Sequence, residues 1–173
     1  PLFDLAAGLA KSSALASTLL ACFLVLANAY LLNYIVNEHE MLSKQTWLPG
    51  LFMVILLSFH HLLLVLHPAQ FALLFVLLAL HRLLSSYRND RAFSNVFDAG
   101  LCVGIGSLFF FPAFLLYPVV LIYMFILRPF IWRELVISFI GLVLPYLFAG
   151  VFYFYFDLAD YFLYGKIILP ALF

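Results

Sequence analysis

Long apolar stretches alternate with short polar segments along the chain, and the apolar stretches have the length of membrane-crossing helices. About 20 apolar residues, rising about 1.5 Å each, span the roughly 30 Å hydrocarbon core of a bilayer. The stretches 13–36, 46–66, 68–84 and 135–156 meet that requirement. Pro68 begins the third stretch, where its missing amide proton costs nothing in a first helical turn. The pattern predicts four complete transmembrane helices.

The stretch 97–127 departs from this pattern. Its 31 residues would form a helix of about 46 Å, too long for one crossing and too short for two complete ones. Because Pro112 interrupts it, we predict two short helices, 97–110 and 112–127, which meet inside the bilayer. The predicted fold class is all-α: a polytopic integral membrane protein with about six membrane-embedded helices, two of them short and meeting near Phe110–Pro112.

The composition agrees with a membrane protein. Of the 173 residues, 68% are hydrophobic and 9% are charged, and the formal net charge is zero. A soluble domain carries about 45–50% apolar and about 25% charged residues. A nucleic-acid partner is excluded, because binding phosphates needs a basic face. The lipid bilayer is therefore the first predicted partner.

The chain is predicted to be a single transmembrane domain over residues 1–173. It starts at Pro1 without an initiator Met and stops at Phe173 within an apolar run. Both features suggest a fragment of a longer chain, with further segments expected before and after it.

The basic residues predict an orientation. With two short helices, one membrane face collects six Lys and Arg residues and the other collects two, whereas a single span through 97–127 gives five and three. The positive-inside rule favours the first arrangement. It places segments 38–44, 85–95 and 128–134 in the cytoplasm.

Three histidines, His60, His61 and His67, cluster at the predicted outward turn between the second and third helices. They either cap helix ends and meet headgroups, or contact a substrate or lipid, or bind a metal. Neighbouring residues on a helix point about 100° apart, so His60 and His61 do not readily share one ligand. No metal and no cofactor are predicted.

Carboxylates provide the remaining candidate chemistry. Asp157 and Asp160 are three residues apart, so on a helix they share a face and form a candidate acid–base pair. The alternative is that they end a transmembrane helix in the headgroup zone beside an aromatic belt. Asp98 is predicted to complement the N-terminal dipole of the first short helix.

The first short helix and the break after it contain small residues, for which we predict a packing role, and aromatic residues, for which two roles stay open. Gly100 and Gly104 form a small-xxx-small pattern, which favours close packing within the chain over dimerisation. Phe109, Phe110 and Phe111 either line an apolar groove for an isoprenoid tail or face lipid.

Several segments resemble a family of uncharacterised polytopic inner-membrane proteins from Bacteroidota, and this resemblance implies a location in a bacterial inner membrane. The segments are Phe97-Asp98-Ala99-Gly100, Gly104-Ile105-Gly106-Ser107-Leu108-Phe109-Phe110-Phe111-Pro112-Ala113, Arg82-Leu83-Leu84 and Arg128-Pro129-Phe130. In layout the chain is more distantly similar to the C-type glycosyltransferase superfamily. There too, a short glycine-bearing helix runs into a proline-marked break, followed by a second helix and a basic cytoplasmic turn.

The superfamily resemblance implies sugar transfer from a polyprenyl-phosphate carrier by an acidic residue of the first outward loop. Asp4 is the carboxylate nearest to that position. The chain departs from the pattern near the break, where Phe109–Phe111 replaces the basic residue that many such enzymes carry.

Two functions are therefore expected. The first is a non-catalytic subunit or accessory of a cell-envelope assembly, secretion or other membrane complex, with other membrane proteins as partners. The alternative is a C-type glycosyltransferase that uses a polyprenyl-phosphate-linked sugar, with Asp4, Asp157 and Asp160 as the catalytic candidates. A transporter is a third class, disfavoured because intramembrane charge is scarce.

Overall fold

A computed structural model describes residues 14–42, 44, 46–58, 67–86, 93–127 and 132–155 of the chain. Within these residues every regular element is a helix, so the all-α prediction is confirmed. In chain order the helices are α1 (Ala14–Glu38), α2 (Leu48–Ser58), α3 (Pro68–Ser86), α4 (Phe93–Phe109), a 3-10 helix (Phe111–Leu116), α5 (Tyr117–Leu127) and α6 (Trp132–Tyr155).

Three of these helices are long and apolar enough to cross a membrane: α1 from Ser17 onward, α3 and α6. Large apolar side chains on their outer faces, such as Phe23 and Phe148, are exposed, as expected where lipid is the solvent. Both observations indicate a membrane protein. Helices α2 and α4, and the 3-10 helix joined to α5, are shorter. Six embedded helices therefore stay a prediction.

The structure corrects the predicted helix starts at one end of the bundle. Helix α4 begins at Phe93, four residues before the predicted start, and α6 begins at Trp132, three residues early. Segments 85–95 and 128–134 thus contain helical first turns instead of being wholly polar turns. Hydrophobicity underestimates such turns, because a carboxylate such as Glu134 is favourable at a helix N-terminus.

The chain breaks at Phe110, between α4 and the 3-10 helix. Phe110 has extended backbone angles, φ −139° and ψ 105°. A continuous helix is prevented by Pro112, which has no amide proton for the carbonyl four residues earlier. After the break the chain turns back: Met124 near the end of α5 packs with Val96 near the start of α4. The two short helices therefore run in opposite directions.

Helix α4 lies between α3 and α6 and packs extensively against both. Its glycines allow the close approach to α6. A Cβ at Gly100 would collide with the Ser138 carbonyl oxygen, and a Cβ at Gly104 would lie 2.7 Å from that of Leu142. The ascending order of these contacts shows that α4 and α6 are parallel. The predicted small-xxx-small packing within the chain is observed.

The remaining contacts fix the direction of the other helices. Helix α1 is antiparallel to α2, and it is parallel to α3 because Asn28 contacts Gln70 while His39 contacts His81. Helices α1, α3 and α5 therefore end where α2, α4 and α6 begin. We call this end of the bundle the polar end, because Glu38, His39, Arg82, Asp98 and Glu134 lie there.

Candidate functional site

An apolar groove lies between α3, α4 and α6, away from the polar end. Its volume is about 570 Å³, within the range of about 300–1,000 Å³ common to ligand pockets. Tyr153 contributes the one hydroxyl among the described lining side chains. The walls include Phe75, Leu101, Ile105, Phe109, Pro145 and Phe148. Such a lining suits a hydrocarbon chain, because it has few groups that could hydrogen-bond to a polar ligand.

Phe109 forms a fixed part of the groove wall. Its ring stacks on Phe71 with centroids 5.3 Å apart and on Phe75 with centroids 5.8 Å apart. Offset stacking of this kind adds about 0.5–1.5 kcal/mol to simple burial. Both partners belong to α3, so the end of α4 is held against α3 by aromatic contacts.

Phe110 and Phe111 point to different surroundings. The Phe110 ring meets His67 edge-on at 6.1 Å, whereas Phe111 stacks on Phe114 at 6.3 Å and is 45% exposed. Of the three phenylalanines proposed as a lipid or substrate contact, Phe109 is the one that lines the groove. Contact of any of them with a ligand stays a prediction.

A short chain of hydroxyl groups joins α4 to α6 beside the groove. The Tyr146 hydroxyl donates to Ser107 Oγ at 2.6 Å, and Ser107 Oγ donates to the Gly104 carbonyl oxygen at 2.7 Å. Ser107 is fully buried. Because Tyr146 follows Pro145, which lines the groove, these bonds fix the groove wall contributed by α6 relative to α4.

His67 caps the start of α3. The Ala69 amide donates to His67 Nδ1 at 3.2 Å, and the Gln70 amide donates to the His67 carbonyl oxygen at 3.0 Å. These bonds satisfy amides that have no partner within the helix. The geometry matches the helix-capping alternative, and substrate contact by His67 stays a prediction.

The other predicted site residues, Asp4, His60, His61, Asp157 and Asp160, lie outside the described residues, and their roles stay predictions. In the part of the chain that the structure describes, no group of three or more His, Cys, Asp or Glu side chains is arranged to hold a metal ion.

Asp98 pairs with a charge on the neighbouring helix. Its Oδ2 lies 3.5 Å from Arg82 Nε, with both side chains partly exposed. The predicted role of Asp98 at the start of α4 is wrong, because α4 begins at Phe93 and Asp98 is its sixth residue. The pair links α3 to α4 at the polar end.

A histidine pair at the polar end was not foreseen. The rings of His39 and His81 have centroids 5.6 Å apart, and Tyr34 lies 5.7 Å from His81. The two histidines are 42 positions apart, so no local motif connects them. The available signal was that both lie near ends of predicted helices that were expected to share one membrane face.

The fold and these sites define an all-helical membrane protein with an apolar groove at one end and a cluster of ionisable side chains at the other. The chain belongs to a family of unknown function, DUF6427, whose model matches residues 5–167. Neither a curated protein nor a solved structure matches it. The expected membership of an uncharacterised family is confirmed, whereas its Bacteroidota source and the glycosyltransferase likeness stay predictions.

Proposed function

We propose that this protein is a polytopic protein of the bacterial inner membrane that acts as a non-catalytic subunit or accessory. Its partners would be other membrane proteins of a cell-envelope assembly, secretion or other membrane complex. The observation that carries this proposal is that hydrogen bonds of internal polar side chains join one helix to another at three places.

Three such bonds illustrate the point. Asn28 Nδ2 on α1 donates to the Gln70 carbonyl on α3 at 3.2 Å, and the Tyr123 hydroxyl on α5 donates to the Leu83 carbonyl on α3 at 2.7 Å. The Tyr146–Ser107 bond joins α6 to α4. A catalytic site needs polar groups that converge on a cavity, yet the groove is apolar. This distribution supports a structural role.

The proposed topology has six embedded helices with the polar end in the cytoplasm. Support comes from the reversal at Phe110, which makes α4 and α5 antiparallel and matches the arrangement favoured by the basic residues. Segments 38–44, 85–95 and 128–134 would then face the cytoplasm.

Purification of the tagged, intact protein in a gentle detergent tests the subunit proposal. Mass spectrometry after size exclusion should find one or a few membrane proteins in constant ratio to it. An unrelated tagged polytopic protein, expressed at the same level, is the control for adventitious capture. A protein that elutes alone, with a polyprenyl-phosphate lipid bound, would contradict the proposal.

The groove favours a second candidate function, a C-type glycosyltransferase that uses a polyprenyl-phosphate-linked sugar. Phe75, Phe109 and Phe148 place an aromatic side chain on each of the three walls of the groove, and its apolar lining suits an isoprenoid tail. In the proposed topology the groove lies toward the outer face, where the superfamily acts. The carboxylates Asp4, Asp157 and Asp160 remain the catalytic candidates.

Filling the groove tests this second candidate. Ala149→Trp places an indole in the groove, whereas Val151→Trp alters an exposed position on the same helix. If a polyprenyl lipid occupies the groove, extracts of the purified Ala149→Trp protein should lose most of it and those of Val151→Trp should keep it. Equal lipid content in both variants would contradict occupancy of the groove.

A further inference from the structure

The end of α1 is held by contacts with two other parts of the chain. Tyr34 and His39 both lie against His81 of α3. The Asn37 side chain bonds the backbone of Thr46 twice, as donor and as acceptor, each at 3.4 Å. Nearer the start of α1, Asn28 anchors the helix to Gln70. Loss of the histidine contact would therefore leave the end of α1 held by the Asn37 bonds alone, with its middle still attached to α3.

The backbone at this end is strained. Glu40 has φ 48°, in the left-handed region that favours glycine, and the Met41 amide donates to the Val36 carbonyl at 3.1 Å. This is the Schellman arrangement that closes many helices, with glutamate where glycine is usual. Contacts of the neighbouring residues must hold that conformation.

The two imidazoles are poorly prepared to carry charge. His39 Nε2 and His81 Nδ1 are buried, and neither has a hydrogen-bond partner within the described part of the chain. In a neutral ring the buried nitrogen can be the one that carries no proton, so that no N–H group is left without an acceptor. A protonated ring donates from both nitrogens, so it would bury an unpaired N–H together with a positive charge.

Charged groups from three helices surround the pair. Glu38 of α1 attracts a positive charge on His81, whereas Arg82 of α3 repels it. Asp98 of α4 offsets Arg82 through their ion pair. A second proton would place two like charges on rings 5.6 Å apart.

We propose that the His39–His81 pair is a proton-binding site that controls the contact between α1 and α3 at the polar end. Neutral rings pack together and keep the end of α1 closed. Uptake of a proton on acidification separates the rings and releases the strained turn at Glu40. This site is independent of the groove and of the proposed subunit role.

Hydrogen exchange of the intact protein in lipid nanodiscs tests the proposal. Exchange is measured at about pH 8 and about pH 5.5, with labelling times scaled for the pH dependence of chemical exchange. We expect peptides that cover residues 31–42 to exchange about tenfold faster at the lower pH. Peptides that cover residues 20–28 should not change.

Variants identify the groups responsible. His39→Gln and His81→Gln should each reduce the pH difference, and the double variant should abolish it. His67→Asn is the matched control, because it removes a titratable ring at the opposite end of α3, and it should keep the pH difference. Equal protection of residues 31–42 at both pH values in the unaltered protein would overturn the proposal without recourse to any variant. A pH difference that survives in the double variant would also overturn it.

Discussion

Gly100 of α4 lies directly against the backbone carbonyl of Ser138 of α6, and no side-chain carbon fits between them. Gly141 of α6 makes the reciprocal approach, since its Cβ would lie 2.5 Å from the Phe97 carbonyl oxygen. Backbone approach of this kind lets helices associate in a membrane through van der Waals contact. Helix α4 is short, so its position depends on this contact.

Gly100→Ala is therefore expected to destabilise the protein by about 1–3 kcal/mol, the usual cost of overpacking. Gly150→Ala is the matched control on α6, because nothing lies within 4 Å of a Cβ there. That control should be neutral or slightly stabilising, since alanine is the better helix former. Unfolding followed by circular dichroism in detergent measures both variants. Equal stability of the two would refute close α4–α6 packing at Gly100.

The hydrogen bond between the Tyr146 and Ser107 hydroxyls should contribute measurably to the free energy of unfolding. Tyr146→Phe removes the donor to Ser107, at an expected cost of about 0.6 kcal/mol and at most about 1.7 kcal/mol, the average and the largest values for polar bonds between transmembrane helices. A double-mutant cycle with Ser107→Ala isolates the interaction. Tyr30→Phe, at an exposed tyrosine, is the control and should change little. A coupling energy near zero would mean that the bond does not stabilise the folded protein.

The ion pair between Arg82 and Asp98 should contribute little to the free energy of unfolding, although it joins two opposite charges. Both side chains are partly exposed, and exposed pairs are worth about 0–1 kcal/mol. Asp98→Asn is expected to cost less than about 1 kcal/mol, and the difference should shrink in high salt. A loss several times larger, insensitive to salt, would show that the pair is desolvated in the membrane.

The reversal at Phe110 predicts which positions share a membrane face. Single cysteines at Lys44, Phe111 and Arg133, introduced after Cys22 and Cys102 are replaced by alanine, can be labelled with an impermeant maleimide in whole cells. We expect Phe111→Cys to react from outside. Lys44→Cys and Arg133→Cys should react only after the cells are permeabilised. Labelling of Arg133→Cys from outside would mean that α4 and α5 form one crossing.

The sequence was sufficient to predict features that depend on local chemistry. Pro112 breaks the helix wherever the chain packs, so the break near Phe110 could be located. The spacing of Gly100 and Gly104 predicted close packing within the chain, and both glycines contact α6. The start of α4 was misplaced, because its first turn contains Ser94 and Asn95, and that error produced the wrong role for Asp98.

Features that depend on the arrangement of distant helices were not predictable in the same way. Nothing local to Gly100 indicates that Ser138 is its neighbour. His39 and His81 come together only because α1 and α3 are parallel and in a particular register. The groove likewise requires three helices, and the stacking of Phe109 on Phe71 and Phe75 depends on how α4 lies against α3.

The most direct test of the proposed subunit role is native mass spectrometry of the intact protein released from its own membranes in a mild detergent. The account predicts a dominant species whose mass equals this protein plus one or more other membrane proteins in whole-number ratio. A dominant species whose mass equals the protein alone, or the protein plus one polyprenyl-phosphate lipid, would contradict it.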